Sequence, residues 1–254
     1  MKYMGSKSRI AKYIVPIIQE CIDDNDISTY LEPFCGGCNI IDKIKCNTRI
    51  ASDKNKYLIA LWKHIQNENN LLEIVNRDLY NDVRSNQNTN KYEDWLIGNV
   101  GFLASYNGRW FDGGYAQSGY EKTKNGERFR DYYKEAKQNI LQQKKLIKDI
   151  EFLNEDYTYF KPVNCVIYCD PPYKNTKQYA NSKNFNYETF WETMRKWSKN
   201  NFVLISEQNA PEDFKCIWKQ EVSRSIKAND KSKSVEKLFT YNQGLYFDYI
   251  NRKD

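Results

Sequence analysis

Hydrophobic and polar positions along the first part of the chain predict one helix and two strands. Apolar residues recur at helical spacing over 10–22, and Pro16 is expected to kink this helix or to delay its regular part. Residues 28–34 predict a short buried strand that leads into a glycine-bearing turn, and residues 48–52 predict a second strand that ends at Asp53.

The next segments are predicted to be mainly helical. A helix near Asn39 and another over 57–65 would complete the order strand, glycine turn, helix, strand and acid, which opens a doubly wound nucleotide-binding fold. Residues 66–156 are mostly helical in pattern and strongly polar. Within them, the glycine-rich and aromatic stretch 106–115 predicts a hairpin or an ordered loop, and a long helix is expected around 129–147.

Strand character returns towards the C-terminal end of the chain. Residues 163–169 are almost entirely apolar, as expected for a central strand covered on both faces, and residues 202–206 predict another buried strand. Residues 190–197 predict a helix between them. Aromatic residues at nearly every second position of 237–250, around the turn signal 242–244, predict a closing hairpin.

These patterns predict an α/β fold. One sheet domain would consist of residues 1–65 and 157–254, interrupted by a mainly helical insertion over residues 66–156. No apolar run approaches the roughly 20 residues that a membrane-spanning helix needs. The first residues also lack the apolar stretch of a signal peptide. A cytoplasmic location and no membrane partner are therefore expected.

The cysteine and histidine content argues against a metal site. Seven cysteines are an odd number in a chain without an export signal, which favours free thiols in a reducing compartment. Cys35 and Cys38 form a C-x-x-C pair, but Cys165 and Cys169 have the wrong spacing for a second pair, and His64 is the only histidine. We therefore predict no metal site. The net charge of +6 suits a phosphate-bearing partner without establishing one.

The first candidate site is the segment Glu32-Pro33-Phe34-Cys35-Gly36-Gly37-Cys38, at the end of the first predicted strand. Glycines after a strand allow a tight turn and the close approach of a ligand. Asp53 ends the next strand, near the spacing at which an acid accepts hydrogen bonds from ribose hydroxyls. The third glycine of the dinucleotide pattern is missing, which favours a nucleoside without a pyrophosphate over NAD.

The second candidate site is Asp170-Pro171-Pro172-Tyr173, directly after an apolar strand. Open α/β sheets bind their ligands at this edge. The carboxylate of Asp170 and the carbonyl of Pro171 offer two hydrogen-bond acceptors, which the prolines hold on a fixed backbone. Tyr173 offers a flat face on which a base can stack. The alternative is a rigid turn without a chemical role.

With both motifs in place, the chain resembles the Dam-like N6-adenine DNA methyltransferases over nearly its whole length. The matching segments are residues 2–7, 32–37, 52–55, 168–173, 204–206, 223–226 and 235–238. In that family an S-adenosylmethionine (AdoMet) motif comes first, a target-recognition insertion second and a catalytic motif third, which is the order inferred above. The resemblance implies a Rossmann-like AdoMet-dependent methyltransferase sheet with an inserted target-recognition domain, acting on double-stranded DNA.

The resemblance also implies roles for individual residues. Asp170, Pro171, Pro172 and Tyr173 would be catalytic, because two acceptors on the N6 hydrogens of a flipped-out adenine free the nitrogen lone pair for a methyl donor. Asp53 would hold the ribose of AdoMet, and Asp170 would border the cofactor as well. The other residues implied in AdoMet binding are Tyr3, Met4, Gly5, Lys7, Glu32, Pro33, Phe34, Cys35, Gly36, Gly37 and Lys54. Cys38 stands where many family members have a glycine.

DNA contacts are predicted in two segments. The candidates for base contacts and for an aromatic wedge are Tyr106, Asn107, Arg109 and Trp110. The candidates for phosphate contacts are Arg224, Lys227, Lys231 and Lys233. For each single residue of the first group, packing in a local core or plain solvation is an equal alternative, and the second group is also compatible with an ordinary solvated loop.

The sequence leaves several points of function open. A monomer without an obligate protein partner is expected, in a bacterial or phage-infected bacterial cell, with a cognate restriction enzyme left open and GATC as the default target. Adenine in RNA is an alternative acceptor, as is a protein amide, although protein-amide methylation usually has Asn in place of Asp170. The alternative from another class is a catalytically inactive DNA-binding relative.

Overall fold

The computed structural model describes residues 1–68, 70–123, 126–173, 185–223 and 233–253, with Ser223, Lys233 and Ser234 described by their backbone alone. Within these ranges the α-helices are α1 (Ala11–Asp24), α2 (Lys56–Asn67), α3 (Arg77–Ser85), α4 (Asp94–Gly98), α5 (Tyr132–Gln143), α6 (Tyr187–Trp197) and α7 (Leu245–Asn251). The strands are β1 (Thr29–Glu32), β2 (Thr48–Ser52), β3 (Gly119–Thr123), β4 (Gly126–Arg130), β5 (Ile150–Leu153), β6 (Val166–Cys169), β7 (Phe202–Ser206), β8 (Phe214–Ser223) and β9 (Lys233–Tyr241).

Seven of these strands form one mixed sheet in the order β5-β2-β1-β6-β7-β9-β8. Adjacent strands are parallel in the series β2-β1-β6-β7, whereas β9 is antiparallel to both β7 and β8. Every residue of β6 and β7 is buried, as expected for central strands covered on both faces. The α/β fold predicted from the sequence is confirmed.

The chain divides into two compact units, of which the second contains most of this sheet. This unit comprises Ile14–Phe34, Ile44–Ala51 and Glu155–Asp254. Alternate residues of β6 and β7 pack against α6, whose buried face is Phe190, Met194 and Trp197. The buried core here is Leu31, Tyr157, Cys165, Ile167, Cys169, Phe190, Met194, Trp197, Val203, Ile205, Phe214 and Phe239.

The first unit comprises Met1–Tyr13, Cys35–Lys43 and Ser52–Asn154 and is mainly helical. Asn55 caps α2, because its side chain accepts hydrogen bonds from the N–H groups of Tyr57 and Leu58. α2 and α4 approach closely at Gly98, where an added Cβ would lie 2.2 Å from the carbonyl oxygen of Tyr57. The helix continues as a π-helical turn, Asn99–Leu103, which is buried throughout and bonds to Tyr133 on α5 through Asn99. The boundaries of the predicted insertion, 66–156, stay a prediction, and β5 lies within them.

Two strands have the bounds that the sequence predicts, namely β2 over 48–52 and β7 over 202–206. The helix expected near Asn39 is wrong, because only a short 3-10 turn, Ile41–Lys43, follows the glycine turn. Cys38 has a left-handed backbone with φ of +53°. The side chain of Asn39 then binds back to the carbonyl of Met1 and the hydroxyl of Ser6. These contacts direct the chain away from a regular helix.

The long helix expected around 129–147 is shorter than predicted. Phe129 belongs to β4, and α5 begins only at Tyr132, where Asp131 accepts a hydrogen bond from the N–H of Lys134. After α5 the chain tightens into a 3-10 turn, Lys144–Leu146. The N-cap carboxylate therefore fixes the start of this helix.

The closing hairpin expected over 237–250 is also wrong. β9 ends at Tyr241 and pairs with β8, and the residues after Gly244 form α7. Tyr246 and Tyr249 are three positions apart and both buried, which is helical spacing. No helix in the described ranges has both the length and the apolar composition needed to cross a membrane.

Candidate functional site

In the first unit, Asp53 is bonded directly to the glycine turn. Its Oδ2 accepts a hydrogen bond of 3.2 Å from the N–H of Gly36, and its Oδ1 accepts one of 2.9 Å from the N–H of Asn55. Burial raises the pKa of Asp53 to about 6, although both backbone N–H groups act in the opposite direction. The sequence placed Gly36 and Asp53 in one candidate site, and the structure brings them together.

Tyr3 lies on this turn, in van der Waals contact with both glycines. Gly36 has φ of +46°, and a Cβ on it would lie 2.8 Å from Cε1 of Tyr3, while a Cβ on Gly37 would lie 2.9 Å from Cβ of Tyr3. The indole Nε1 of Trp62 donates a hydrogen bond of 3.0 Å to the carbonyl of Gly36. Only glycine therefore allows both the backbone conformation and the close approach of the tyrosine.

The other predicted cofactor residues of this unit lie around the same two segments. Cys35, Gly37 and Lys7 are buried, and Nζ of Lys7 donates a hydrogen bond of 3.2 Å to the carbonyl of Gly5. Met4 is half-buried, and Gly5 and Lys54 are exposed. A fixed carboxylate beside a glycine turn and an aromatic side chain suits the ribose and base of a nucleoside such as AdoMet.

In the second unit, Asp170-Pro171-Pro172-Tyr173 follows the buried strand β6 as predicted. β6 is parallel to its neighbour β1, so the segment after β1, Glu32-Pro33-Phe34, leaves the sheet at the same edge. Pro171 is buried and Asp170 is half-buried. The carbonyl of Pro172 accepts a hydrogen bond of 2.9 Å from the hydroxyl of Tyr187.

Two tyrosines of this unit donate hydrogen bonds to carboxylates. Tyr30 donates a hydrogen bond of 3.1 Å to Oε2 of the buried Glu32, and Tyr173 donates one of 3.0 Å to Oε2 of Glu236. Burial first, and then the charges of Asp170 and Glu236, hold the pKa of Tyr173 well above its usual value. The phenol therefore keeps its proton at neutral pH, which suits a stacking surface and excludes Tyr173 as a base.

Phe34 lies in an aromatic group of the second unit. Its ring is 5.4 Å from that of Tyr157 and 6.0 Å from that of Phe185, measured between centroids. Phe34 is half-buried, so one part of the ring is fixed by packing while another part is accessible. This is the environment expected of a side chain that lines a pocket for a flat ligand.

The stretch 106–115 is an ordered loop, which is one of the two alternatives predicted from the sequence. Two 3-10 turns, Tyr106–Gly108 and Trp110–Gly113, are closed by an isolated bridge between Ser105 and Tyr115. A Cβ on Gly108 would lie 2.3 Å from the carbonyl oxygen of Lys2, so the loop packs tightly on the N-terminal segment.

The four candidate DNA residues of this loop differ in exposure. Tyr106 is 47% exposed, Asn107 is exposed and Arg109 is half-buried, with its Nε buried and without a hydrogen-bond partner among the described residues. Trp110 is half-buried and stacks on Tyr57 at 5.4 Å. Of the two alternatives for Trp110, packing in a local core describes it in this structure.

An exposed aromatic pair lies on the hairpin of β3 and β4, which the hydrophobic pattern did not predict. Tyr120 and Phe129 face each other across the hairpin, 76% and 55% exposed, with ring centroids 5.4 Å apart. Single exposed aromatic side chains are common, but an exposed cross-strand pair is unusual without a partner. The signal for this hairpin was present, since Asn125-Gly126 is a strong hairpin-turn dipeptide.

The residues predicted to contact phosphates are described only in part. Arg224, Lys227 and Lys231 lie outside the described residues, and Lys233 is described by its backbone as the first residue of β9. Among the described residues, no group of three or more histidine, cysteine, aspartate or glutamate side chains is arranged to hold a metal ion.

Comparison with known proteins identifies the family. A model of the D12 class N6 adenine-specific DNA methyltransferases matches residues 3–239. The type II methyltransferase M.MjaIII of Methanocaldococcus jannaschii is 26% identical over 202 residues, which cover 68% of this chain and 68% of that protein. The crystal structure of SMU.472 in complex with SAH is similar with a TM-score of 0.37 and 13% identity, over 92% of this chain and 54% of that one, so this chain spans about half its length. Because the family model covers nearly the whole chain, this protein belongs to the D12 class N6 adenine-specific DNA methyltransferases, enzymes that use AdoMet as cofactor.

Proposed function

We propose that this chain methylates the N6 amino group of adenine within a specific short sequence of duplex DNA, on a base turned out of the helix into the Asp170-Pro171-Pro172-Tyr173 segment. The observation that carries the proposal is the position of this segment, directly after the buried strand β6 and at the edge where parallel α/β sheets bind ligands. Inside a duplex one hydrogen of the adenine N6 is bonded to thymine and the stacked base cannot enter an enclosed site, so the base has to leave the stack for two acceptors to bind the amino group.

The residues of this segment suit an amino group that is a poor nucleophile. The N6 lone pair of adenine is delocalised into the ring, and two acceptors on its hydrogens localise that pair on nitrogen. Asp170 contributes its carboxylate and Pro171 its carbonyl. Tyr173 contributes a neutral aromatic face for stacking. After methyl transfer N6 carries a positive charge and loses one proton, for which the carboxylate of Asp170 is the adjacent acceptor.

AdoMet supplies a methyl group on a sulfonium centre, and it is the electrophile in this reaction. We assign its ribose to Asp53, whose carboxylate is held by two backbone N–H groups and keeps further lone pairs for hydroxyl donors. We assign its adenine ring to the aromatic side chain of Tyr3, beside the same glycine turn. Because Gly36 and Gly37 have no side chain, AdoMet can approach the backbone of the turn closely.

DNA contact is assigned to exposed residues of the first unit. Tyr106 and Asn107 are exposed on the 106–115 loop, and Tyr120 and Phe129 are exposed on the β3–β4 hairpin. Exposed aromatic side chains can insert beside the gap that a flipped base leaves. Arg224, Lys227, Lys231 and Lys233 remain assigned to phosphates from the sequence.

The test is methyl transfer from labelled AdoMet to unmethylated genomic DNA, followed by nucleoside analysis of the product. We expect N6-methyladenine with the natural protein and none with Asp170→Ala, while Asp170→Ala still binds AdoMet, because Asp170 acts on the acceptor base. Turnover by Asp170→Ala would remove this residue from the mechanism. Label in RNA or in protein, with none in DNA, would replace the proposed acceptor, and binding of DNA without turnover would favour an inactive relative.

A further inference from the structure

We infer that Glu236 is a positioning residue for the methylation reaction, which fixes the ring of Tyr173 where adenine stacks. The inference rests on the proposed function, since it takes Tyr173 as the stacking surface. Its basis is the hydrogen bond of 3.0 Å that the hydroxyl of Tyr173 donates to Oε2 of Glu236.

The contact arises from the direction of β9. β9 is antiparallel to β7, so the first residues of β9 lie at the edge of the sheet where β6 and β7 end. Glu236 is the fourth residue of β9, opposite Gln220 of β8, and Tyr173 is the fourth residue after β6. A parallel strand at this position would present its last residues there instead, so the reversed strand is what brings Glu236 to Tyr173.

The segment Pro172-Tyr173 is thereby held at two points. The carbonyl of Pro172 accepts a hydrogen bond from Tyr187, which fixes the backbone, and Glu236 accepts one from the phenol, which fixes the far end of the ring. The hydroxyl oxygen of a tyrosine lies on the axis through Cβ, Cγ and Cζ, so anchoring it fixes the direction of the side chain. Because a phenolic O–H prefers to lie in the plane of its ring, an acceptor at a fixed position also favours one ring plane. A ring plane fixed before the base arrives does not have to be ordered during binding, which favours the reactive geometry.

The charge of Glu236 contributes in the same direction. A phenol that donates to a carboxylate forms a stronger bond than one that donates to a neutral acceptor. Burial first, and then the charges of Asp170 and Glu236, raise the pKa of Tyr173 and keep the phenol protonated. The hydroxyl therefore stays a donor, and the anchor persists at neutral and alkaline pH.

The pairing of β8 with β9 is formed by their backbones. It extends from Phe214 and Tyr241 to Ser223 and Lys233. Glu236 is half-buried, and its neighbour Val235 is 38% exposed. A role in activity can thus be separated from a role in folding.

The experiment compares Glu236→Ala, Glu236→Gln, Tyr173→Phe and the double variant Glu236→Ala/Tyr173→Phe. The readouts are the single-turnover rate of N6-methyladenine formation at saturating unmethylated DNA and AdoMet, the dissociation constant for AdoMet, and the melting temperature. Glu221→Ala is the matched control, because Glu221 is an exposed carboxylate on the same strand pair.

We expect Glu236→Ala to lower the rate by about ten- to a hundredfold, the scale of a lost hydrogen bond to a charged group, with an unchanged AdoMet dissociation constant. Tyr173→Phe should give a similar loss, and the double variant should lose no more than either single variant, because both remove one contact. Glu236→Gln should recover part of the rate, since its amide oxygen still accepts from the phenol. Glu221→Ala should keep the natural rate.

An unchanged rate in Glu236→Ala, or losses that multiply in the double variant, would overturn the inference while leaving the proposed function standing. Formation of N6-methyladenine by the natural protein, measured in the same assay, separates the two. Its absence would overturn the proposed function, and the inference with it.

Discussion

At the scale of single residues, the carboxyl group of Asp53 combines two properties that have opposite effects on its pKa. It accepts two backbone hydrogen bonds, which favour the charged form, and it lies in surroundings that favour the neutral form. Burial prevails, and the pKa of Asp53 rises to about 6. Because the charge of Asp53 changes close to neutral pH, its role in AdoMet binding can be measured from the pH dependence of the affinity.

AdoMet affinity should therefore depend on pH through Asp53. As the pH falls through about 6, the carboxylate takes up a proton and becomes a weaker acceptor for ribose hydroxyls, so the dissociation constant for AdoMet should rise below pH 6 and level off above about pH 7. Asp53→Ala should weaken binding by on the order of 1–3 kcal/mol, the scale of lost charge-assisted hydrogen bonds. Calorimetry across this pH range measures both effects.

Asp53→Asn provides the control for this pH dependence, because an amide does not titrate. Its affinity should be weaker than that of the natural protein at neutral pH and flat with pH. A natural protein with pH-independent affinity, or an Asp53→Ala variant with an unchanged constant, would remove Asp53 from the cofactor site.

Replacing Gly36 should lower the free energy of unfolding more than replacing Gly5, for a steric reason. Gly36 and Gly5 both have positive φ, but a Cβ on Gly36 would meet the ring of Tyr3 at 2.8 Å, whereas a Cβ on Gly5 would meet nothing within 4 Å. Gly5→Ala should lower the free energy of unfolding by roughly 1–2 kcal/mol, from backbone strain alone. Gly36→Ala should lower it by about 1–3 kcal/mol more, because of the overlap.

Urea unfolding measures this difference. Adding Tyr3→Ala to Gly36→Ala should cancel the steric contribution, because it removes the ring that the new Cβ would meet. Equal losses in Gly5→Ala and Gly36→Ala would show that the turn moves to accommodate the side chain.

At the scale of secondary-structure elements, the β3–β4 hairpin carries its aromatic pair without burying it. Tyr120→Ala and Phe129→Ala should therefore change the free energy of unfolding by less than about 1 kcal/mol, the range of a cross-strand pair. Both should weaken binding to duplex DNA by about tenfold or more, the scale of a lost aromatic stacking contact.

Ile74→Ala is the matched control for the hairpin, because Ile74 is 77% exposed and lies outside it. Fluorescence anisotropy with a labelled duplex measures the affinities. If all three variants bind DNA as the natural protein does, the hairpin is not part of the DNA interface.

The elements that the sequence predicted best are those whose patterns have one physical explanation. β2 and β7 agree with prediction to the residue, and β6 delivers Asp170 to the predicted edge, because segments of four or five residues are too short for a regular helix and fit a strand. The pairing of Asp53 with Gly36 followed from the same order of elements.

The elements that were missed depend on information that a hydrophobic pattern does not contain. Aromatic residues after Gly244 fit both a strand and a helix, and burial of Tyr246 and Tyr249 together decides for α7. The β3–β4 hairpin is mostly exposed, so only its turn dipeptide could indicate it. The contact of Glu236 with Tyr173 joins residues 63 positions apart, which no local pattern specifies.

At the scale of the whole molecule, a net charge of +6 gives a general attraction to DNA but does not say where the phosphates lie. Specific phosphate contacts release counterions, so the logarithm of the affinity should fall linearly with the logarithm of salt concentration, by about 0.9 for each contact. Affinity measured from low to physiological salt gives the number of contacts.

Lys227→Ala should lower this salt slope by about 0.9, if Lys227 contacts a phosphate as the sequence predicts. Lys148→Ala is the control, because Lys148 is exposed and its loss changes the net charge by the same amount. An equal effect of the two variants would mean that overall charge, and no contact by Lys227, accounts for the salt dependence.

The reversed direction of β9 has a further consequence for how such a protein can change its target. Ser223 and Lys233 face each other as the last backbone pair of the β8–β9 ladder, at the edge where β6 ends. The backbone pairs alone hold this end of the ladder, so side chains on it can be exchanged while the register of both strands stays the same. Glu236 would keep its place beside Tyr173 throughout. The ladder therefore offers a fixed backbone next to the proposed catalytic segment, on which exchanged side chains can give a new sequence preference.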